Sequence, residues 1–174
     1  MPPRFPPIPP QRSPPQQRSA HDEACKLLDL AYGLSGSKFI YIDSSGALIG
    51  DFARLVYTPA LMIPFIRFAI DLAKMPGFPG IAREVVILLS GHCYSSPFVL
   101  YSHQSQAATS GLPEPQIKAL SKGVKPSGRD DLDEECEVAY DAAVEVWGVE
   151  GRMSDVMFGR AEKVFGKEGT AALT

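Results

Sequence analysis

Apolar positions along most of this chain recur at intervals of three and four, the spacing of helices that bury one face. Ser19 stands as a cap before AHDEACKLLDLAYGL, with Asp22 and Glu23 near the positive end of the helix dipole and Gly33 just past the end. Thr58 and Pro59 open PALMIPFIRFAIDLAK, where Pro64 predicts a kink or restart near Ile63. After MPGFPG, residues 81–89 are apolar nearly all round, which suits a helix enclosed by protein on most sides. Ser96-Pro97 repeats the cap-then-proline signature and starts a helix running to Gly111; LPEPQIKALSKG follows as a short helix stopped by Gly123. Asp131 with Glu134 predicts a capping arrangement for LDEECEVAYDAAVEVWG, in which Leu132, Cys136, Ala139 and Ala143 share a stripe. Ser154 caps DVMFGRAEKVFG, with Met153 and Phe158 as a hydrophobic-staple pair. SKFIYIDSSGALIG instead alternates and predicts an extended arm or short hairpin turning at Ser44-Ser45-Gly46. The expected fold class is all-α, a bundle of roughly seven helices centred on an antiparallel pair, 81–94 and 96–111.

MPPRFPPIPPQRSPPQQRS stands outside this pattern. Its prolines remove amide donors and fix φ, so residues 1–18 are expected as a disordered, polyproline-II-like tail ahead of a single α-helical domain over 19–174. Arg4-x-x-Pro7-x-x-Pro10 and Pro7-x-x-Pro10-x-Arg12 have spacings that fit an SH3-type groove, although a solubilising arm accounts for the same composition.

Composition narrows the function classes. The 174 residues are 45% hydrophobic and 21% charged, with a formal net charge of −3, so one sizeable core is expected and a nucleic-acid footprint is not. The most apolar windows are broken by charge and proline, which argues against a membrane span, and no apolar signal segment opens the chain. The three cysteines, Cys25, Cys93 and Cys136, form no CxxC; reduced thiols in a cytoplasmic protein, with neither zinc nor a thioredoxin-type pair, are the expectation.

The chemistry concentrates in REVVILLSGHCYSSPFVLYSH. Glu84 falls in the first turn of one expected helix and His103 in the second turn of the next, on a mostly apolar surface. A carboxylate set against an imidazole fixes its tautomer and raises its basicity, which suits general acid–base work near neutral pH. Each residue also has a structural role open to it. Glu84 can favour the helix dipole, His103 can be a satisfied core residue, and Ser96 can be only an N-cap. Arg83 sits unfavourably at a helix start, which leaves it free to pair with a carboxylate, from a neighbouring chain or a substrate. Tyr94, in the break, could donate to an enolate or carboxylate oxygen. Phe52, Tyr57, Phe65 and Phe68 are expected to line the core or an aromatic pocket.

GALIGDFARLVYTPAL, REVVILLSG, LYSHQSQAATSGLPEPQIKAL and MSDVMFGRAEKVFGKEG together resemble the carboxymuconolactone decarboxylase family, which includes the alkylhydroperoxidase D-like (AhpD-like) proteins. The resemblance spans about Gly46 to Gly169, and the proline-rich arm resembles that of fungal members in secondary-metabolite pathways. It implies an all-α homo-oligomer, a trimer or hexamer, working without a cofactor. The peroxidase branch uses a glutamate, two CxxC cysteines and a histidine. The matching positions are Glu84, Ser96, Val99 and His103, so both thiols are absent and thiol peroxidase chemistry is not expected. Val99 also stands where the decarboxylase branch commonly has a second acid. Family members commonly carry a further helix after the FGKEG-type motif; either a partner subunit covers that surface here or the domain is trimmed.

The function this implies is that of a lyase, a decarboxylase acting on a small aromatic or polyketide-derived carbonyl acid. His103 and Glu84 would be catalytic, and Arg83, Tyr94 and Ser96 substrate-binding, with no metal. A cyclase or isomerase would use the same pair. A non-catalytic relative, serving as a binding or assembly subunit, is the alternative from another class.

Overall fold

The structure, a computed structural model, describes residues 4–33, 39–148 and 151–174; Ser37 and Lys38 of the expected hairpin arm and Met1–Pro3 of the tail lie outside them. Among the described residues eight α-helices follow in order: α1 (Pro15–Gly33), α2 (Asp51–Leu55), α3 (Pro59–Leu72), α4 (Gly80–Cys93), α5 (Pro97–Thr109), α6 (Glu114–Leu120), α7 (Glu134–Gly148) and α8 (Asp155–Leu173). Short 3₁₀ turns occupy Pro10–Arg12 and Gly128–Asp130. The all-α class is therefore as the periodicity predicts. The chain divides into two compact units, Met1–Leu72 and Ala73–Thr174.

The first unit packs α1 against α3 around Ala24, Leu28, Leu48, Val56, Met62 and Ile66. α1 begins at Pro15, upstream of the expected Ser19 cap, because proline at a first turn has its φ preset and gives up an amide that would be unpaired anyway. The proline-rich arm lies on its own unit: Ile8 packs against this core, and the Tyr57 hydroxyl donates to the Pro6 carbonyl at 2.8 Å. The alternating stretch closes as a hairpin turn on an isolated Ile42–Leu48 bridge, with the Asp43 carboxylate accepting from the amides of Ser45 and Ala47. α3 runs through Pro64 as one helix, so the expected restart does not occur. Phe65 and Phe68, expected inside, are exposed, because Met62 and Ile66 take the inward positions of that helix.

The second unit holds the predicted centre. Glu84 near the start of α4 meets His103 midway along α5, while Gly91 near the end of α4 meets Val99 and Leu100 near the start of α5; the pair is antiparallel. A Cβ on Gly91 would sit 2.9 Å from a Leu100 methyl and 3.2 Å from one of Val99, so glycine is what lets the helices approach here. Ser95, at φ 49, makes the elbow in a left-handed conformation uncommon for serine. α4, α5, α6 and α7 share a core that includes Val85, Leu88, Ala107, Leu120 and Cys136. Behind it Phe78, Ala82, Ala139, Ala142, Ala161 and Phe165 join α4, α7 and α8.

Three boundaries differ from expectation. Asp133, directly before Glu134, accepts from the Cys136 amide at 2.8 Å and caps α7, so Asp131 does not. Ser154 caps α8 as predicted, accepting from the Met157 amide, but Phe158 is exposed and makes no buried staple with Met153. α8 continues past its expected end: Gly166 (φ 67, ψ 176) kinks the helix inside the FGKEG stretch, and the helix resumes to Leu173.

α7 and α8 are tied by charge. Asp141 accepts from Lys125 at 2.7 Å and from Arg160 at 2.6 Å, and Glu137 accepts from the same two residues. Burial pushes the Asp141 carboxyl up, but the hydrogen bonds and charges of Lys125 and Arg160 outweigh that and hold it below the usual range. A depressed folded-state carboxyl stabilises the fold above its unfolded value and loses that contribution as pH falls. Melting temperature should therefore drop on acidification through about pH 4, and Asp141→Asn should flatten that part of the profile while lowering its neutral plateau. Gly91→Ala should cost roughly 1–3 kcal/mol in urea unfolding, since Leu100 and Val99 must give way.

Candidate functional site

α4 and α5 bring Arg83, Glu84 and His103 together. Glu84 is 1% exposed, and its Oε2 lies 2.8 Å from His103 Nδ1. A carboxylate this deeply enclosed needs a hydrogen-bond donor, and the Nδ1–H tautomer of His103 supplies one. That tautomer leaves the lone pair on Nε2. Among the described residues none bonds to Nε2, and the His103 side chain is 21% exposed, so this edge of the ring is the reachable one.

Arg83 supports the pair from the side. Its Nη1 donates to the Ala73 carbonyl at 2.8 Å, which anchors the guanidinium at the start of α4. Its Nη2 stands 3.7 Å from Glu84 Oε1, an ion pair without a direct hydrogen bond. The positive charge thus offsets the buried negative one, which resolves the unfavourable helix-start position noted in the sequence.

Tyr94 and Ser96 are not part of this group. Ten residues of helix separate Glu84 from Tyr94, roughly 15 Å of rise, and Tyr94 is exposed at the α4 C-terminus. Ser96 occupies the N-cap position of α5 but its side chain makes no capping bond. Both sit at the elbow, at the far end of the helix pair from Glu84. Two more α5 side chains matter locally. The Ser102 hydroxyl donates back to the Phe98 carbonyl at 3.0 Å, and Gln104 Nε2 donates to Ser121 Oγ at 3.0 Å at the end of α6.

Sequence reasoning missed Gln106. Its Nε2 lies 3.3 Å from His103 Nδ1, one helical turn on. A ring nitrogen that donates its proton to Glu84 cannot also accept from an amide, so in the Nδ1–H tautomer Gln106 lies against the ring without a hydrogen bond to Nδ1. The i,i+3 spacing on one helix was the available signal.

The remaining chemistry-bearing residues lie elsewhere. The three cysteines are free. Burial, with the charges of Asp29 and Asp22, raises the Cys25 thiol, and burial with Asp133 raises that of Cys136. Neither is activated as a nucleophile. Buried His21 ties α1 to the hairpin turn, its Nε2 2.9 Å from the Gly46 carbonyl. A cleft of about 220 Å³ opens between α4, α7 and α8, among Val86, Ser90, Ala143, Trp147, Met153 and Leu173. It lies on the side of α4 away from Glu84 and does not include His103. Among the described residues no helix is long and apolar enough to cross a membrane.

No protein-family model, no curated protein and no solved structure matches this chain.

The Glu84–His103 pair should couple energetically. In a double-mutant cycle of Glu84→Gln and His103→Ala followed by urea unfolding, the coupling should be about 0.5–3 kcal/mol. Additive single effects would mean that the hydrogen bond contributes nothing to stability.

Proposed function

We propose that Glu84 and His103 are the acid–base pair of a cofactor-free enzyme, a lyase that decarboxylates a small aromatic or polyketide-derived carbonyl acid. The observation that carries this reading is the 2.8 Å bond from His103 Nδ1 to a buried carboxylate, with Nε2 left open. The resemblance to the carboxymuconolactone decarboxylase family supports it, as a proposal of kinship. That kinship also carries the proposal of a trimer or hexamer, and three free thiols suit a reducing, cytoplasmic setting.

In this reaction the substrate carboxylate leaves as carbon dioxide and its bonding electrons pass into a neighbouring carbonyl, giving an enolate. His103, protonated on Nε2, delivers that proton to the carbanion carbon and regains one from water through its exposed edge. Glu84 keeps Nδ1–H in place and stabilises the imidazolium before the transfer. Arg83 holds the developing oxygen anion or the substrate's carboxylate, because its guanidinium already neutralises negative charge at this point. Cyclisation or isomerisation would need the same parts. Thiol peroxidase chemistry lacks a thiol pair.

A second reading, a non-catalytic binding or assembly subunit, is favoured by one observation: a 220 Å³ cleft of this unit, lined by Val86, Trp147 and Met153 among others, stands apart from the pair. Turnover separates the two. Carbon dioxide release from a panel of β-keto acids, ortho-hydroxyaryl acids and a carboxylated lactone should fall by about 10²–10⁴-fold in His103→Ala, with the helical circular dichroism retained. Glu84→Gln should lower kcat more than it raises KM. Equal turnover by wild type and His103→Ala would remove His103 from the chemistry and leave the binding-subunit reading.

A further inference from the structure

α3 carries two apolar faces. Met62 and Ile66 point into the first unit's core, with Ile63 and Ile70 packed beside them. On another side of the same helix Leu61, Phe65 and Phe68 stand 63%, 53% and 66% exposed, and Leu72 continues their line. A helix that is apolar on both sides is normally covered on both.

The outer line has a specific pattern. Leu61, Phe65, Phe68 and Leu72 are spaced four, three and four, which is the a/d spacing of a two-stranded helical seam. Leu-Phe-Phe-Leu also reads the same in both chain directions. A two-fold axis crossing α3 between Ile66 and Arg67 therefore places Leu61 against Leu72 of a second copy and Phe65 against its Phe68. The same axis relates Pro64 and Ala69, two small exposed residues that flank the line. No charge lies on the a/d line itself, and exposed Asp71 flanks it at the heptad position that Pro64 occupies one repeat earlier. Arg67 is more than a quarter turn of the helix away and pairs with Glu23 at 2.8 Å within its own unit.

We propose that this face is a self-association surface, in which α3 pairs antiparallel with α3 of a second copy of the chain. The self-complementary order of the seam selects that occupant, since an isologous contact needs one patch that matches itself. The area agrees with a weak dimer. At 150–250 Å² per aromatic side chain, Phe65 and Phe68 leave on the order of 250 Å² open in each copy. With Leu61, Pro64, Ala69 and Leu72 added and the total doubled, the contact approaches the roughly 1,000 Å² that a specific interface needs. Association should accordingly be concentration-dependent. The proposal is independent of the chemistry assigned to His103.

Sedimentation equilibrium of the full chain over a wide micromolar range tests it. The wild type should show a reversible doubling of mass, monomer to dimer or trimer to hexamer, that Phe68→Glu weakens at least about tenfold, with helicity and melting temperature retained. The register is read separately by oxidation in a Cys93→Ser background. A mixture of Leu61→Cys and Leu72→Cys chains should form the mixed disulfide, and each alone should form little. A wild type that stays monomeric or trimeric at every concentration, an association indifferent to both Phe68→Glu and Phe65→Glu, or cross-linking of like with like would each overturn the proposal.

Discussion

A carboxylate enclosed between two helices has to be given donors or it cannot be there. Glu84 is that group, and its enclosure dictates much of the second unit. Losing water around an ionised acid costs several kcal/mol. The cost is met by His103 at 2.8 Å and by the nearby charge of Arg83. These partners constrain α5 to run antiparallel to α4 in one register, since sliding either helix by one turn would separate the imidazole from the acid. At the other end of the pair Gly91 removes the side chain that would hold the helices apart. One end is thus pinned by polarity and the other by the lack of a Cβ.

The rest of the unit spreads this order outward by different means. α6 and α7 close over the pair through aliphatic packing, and α7 joins α8 through alanines that allow near approach. Charge then locks that second joint from outside. Lys125 and Arg160 share the carboxylates of Glu137 and Asp141, and Lys125 also stands 5.3 Å from the centre of the Tyr140 ring. Exposed pairs are individually weak, and a network of four with common partners is the arrangement in which they matter. The first unit has a separate core, built by α1 and α3 with the proline-rich arm laid against it.

The polarity that organises the helix pair is also what makes it suited to chemistry. Fixing Nδ1 in a bond to a buried acid leaves one ring nitrogen free, and that nitrogen is on the reachable edge. A structural salt bridge and an acid–base pair need the same first step, an oriented imidazole; they differ in whether the second nitrogen is open. Here it is open among the described residues. Tyr94 and Ser96 at the elbow are too far along the helices to share that role.

Helical period, proline and glycine punctuation, and the amphipathic stripes were enough to place most elements, because those signals depend on residues three or four apart. They located the α4–α5 pair, the Ser154 cap and the α7 stripe. Where two local signals competed, the sequence alone did not decide. Asp131 and Asp133 both offer a cap, and Pro64 can break a helix or ride on its exposed side. Which face of α3 turns inward is a tertiary matter, since Leu61, Phe65 and Phe68 are as apolar as Met62 and Ile66. Only one side can meet α1. The Glu84–His103 bond belongs to the same class: composition made the two residues candidates, but the distance between them depends on how two helices pack. Local chemistry determined the elements of this protein, and the packing of one helix on another decided which residues meet.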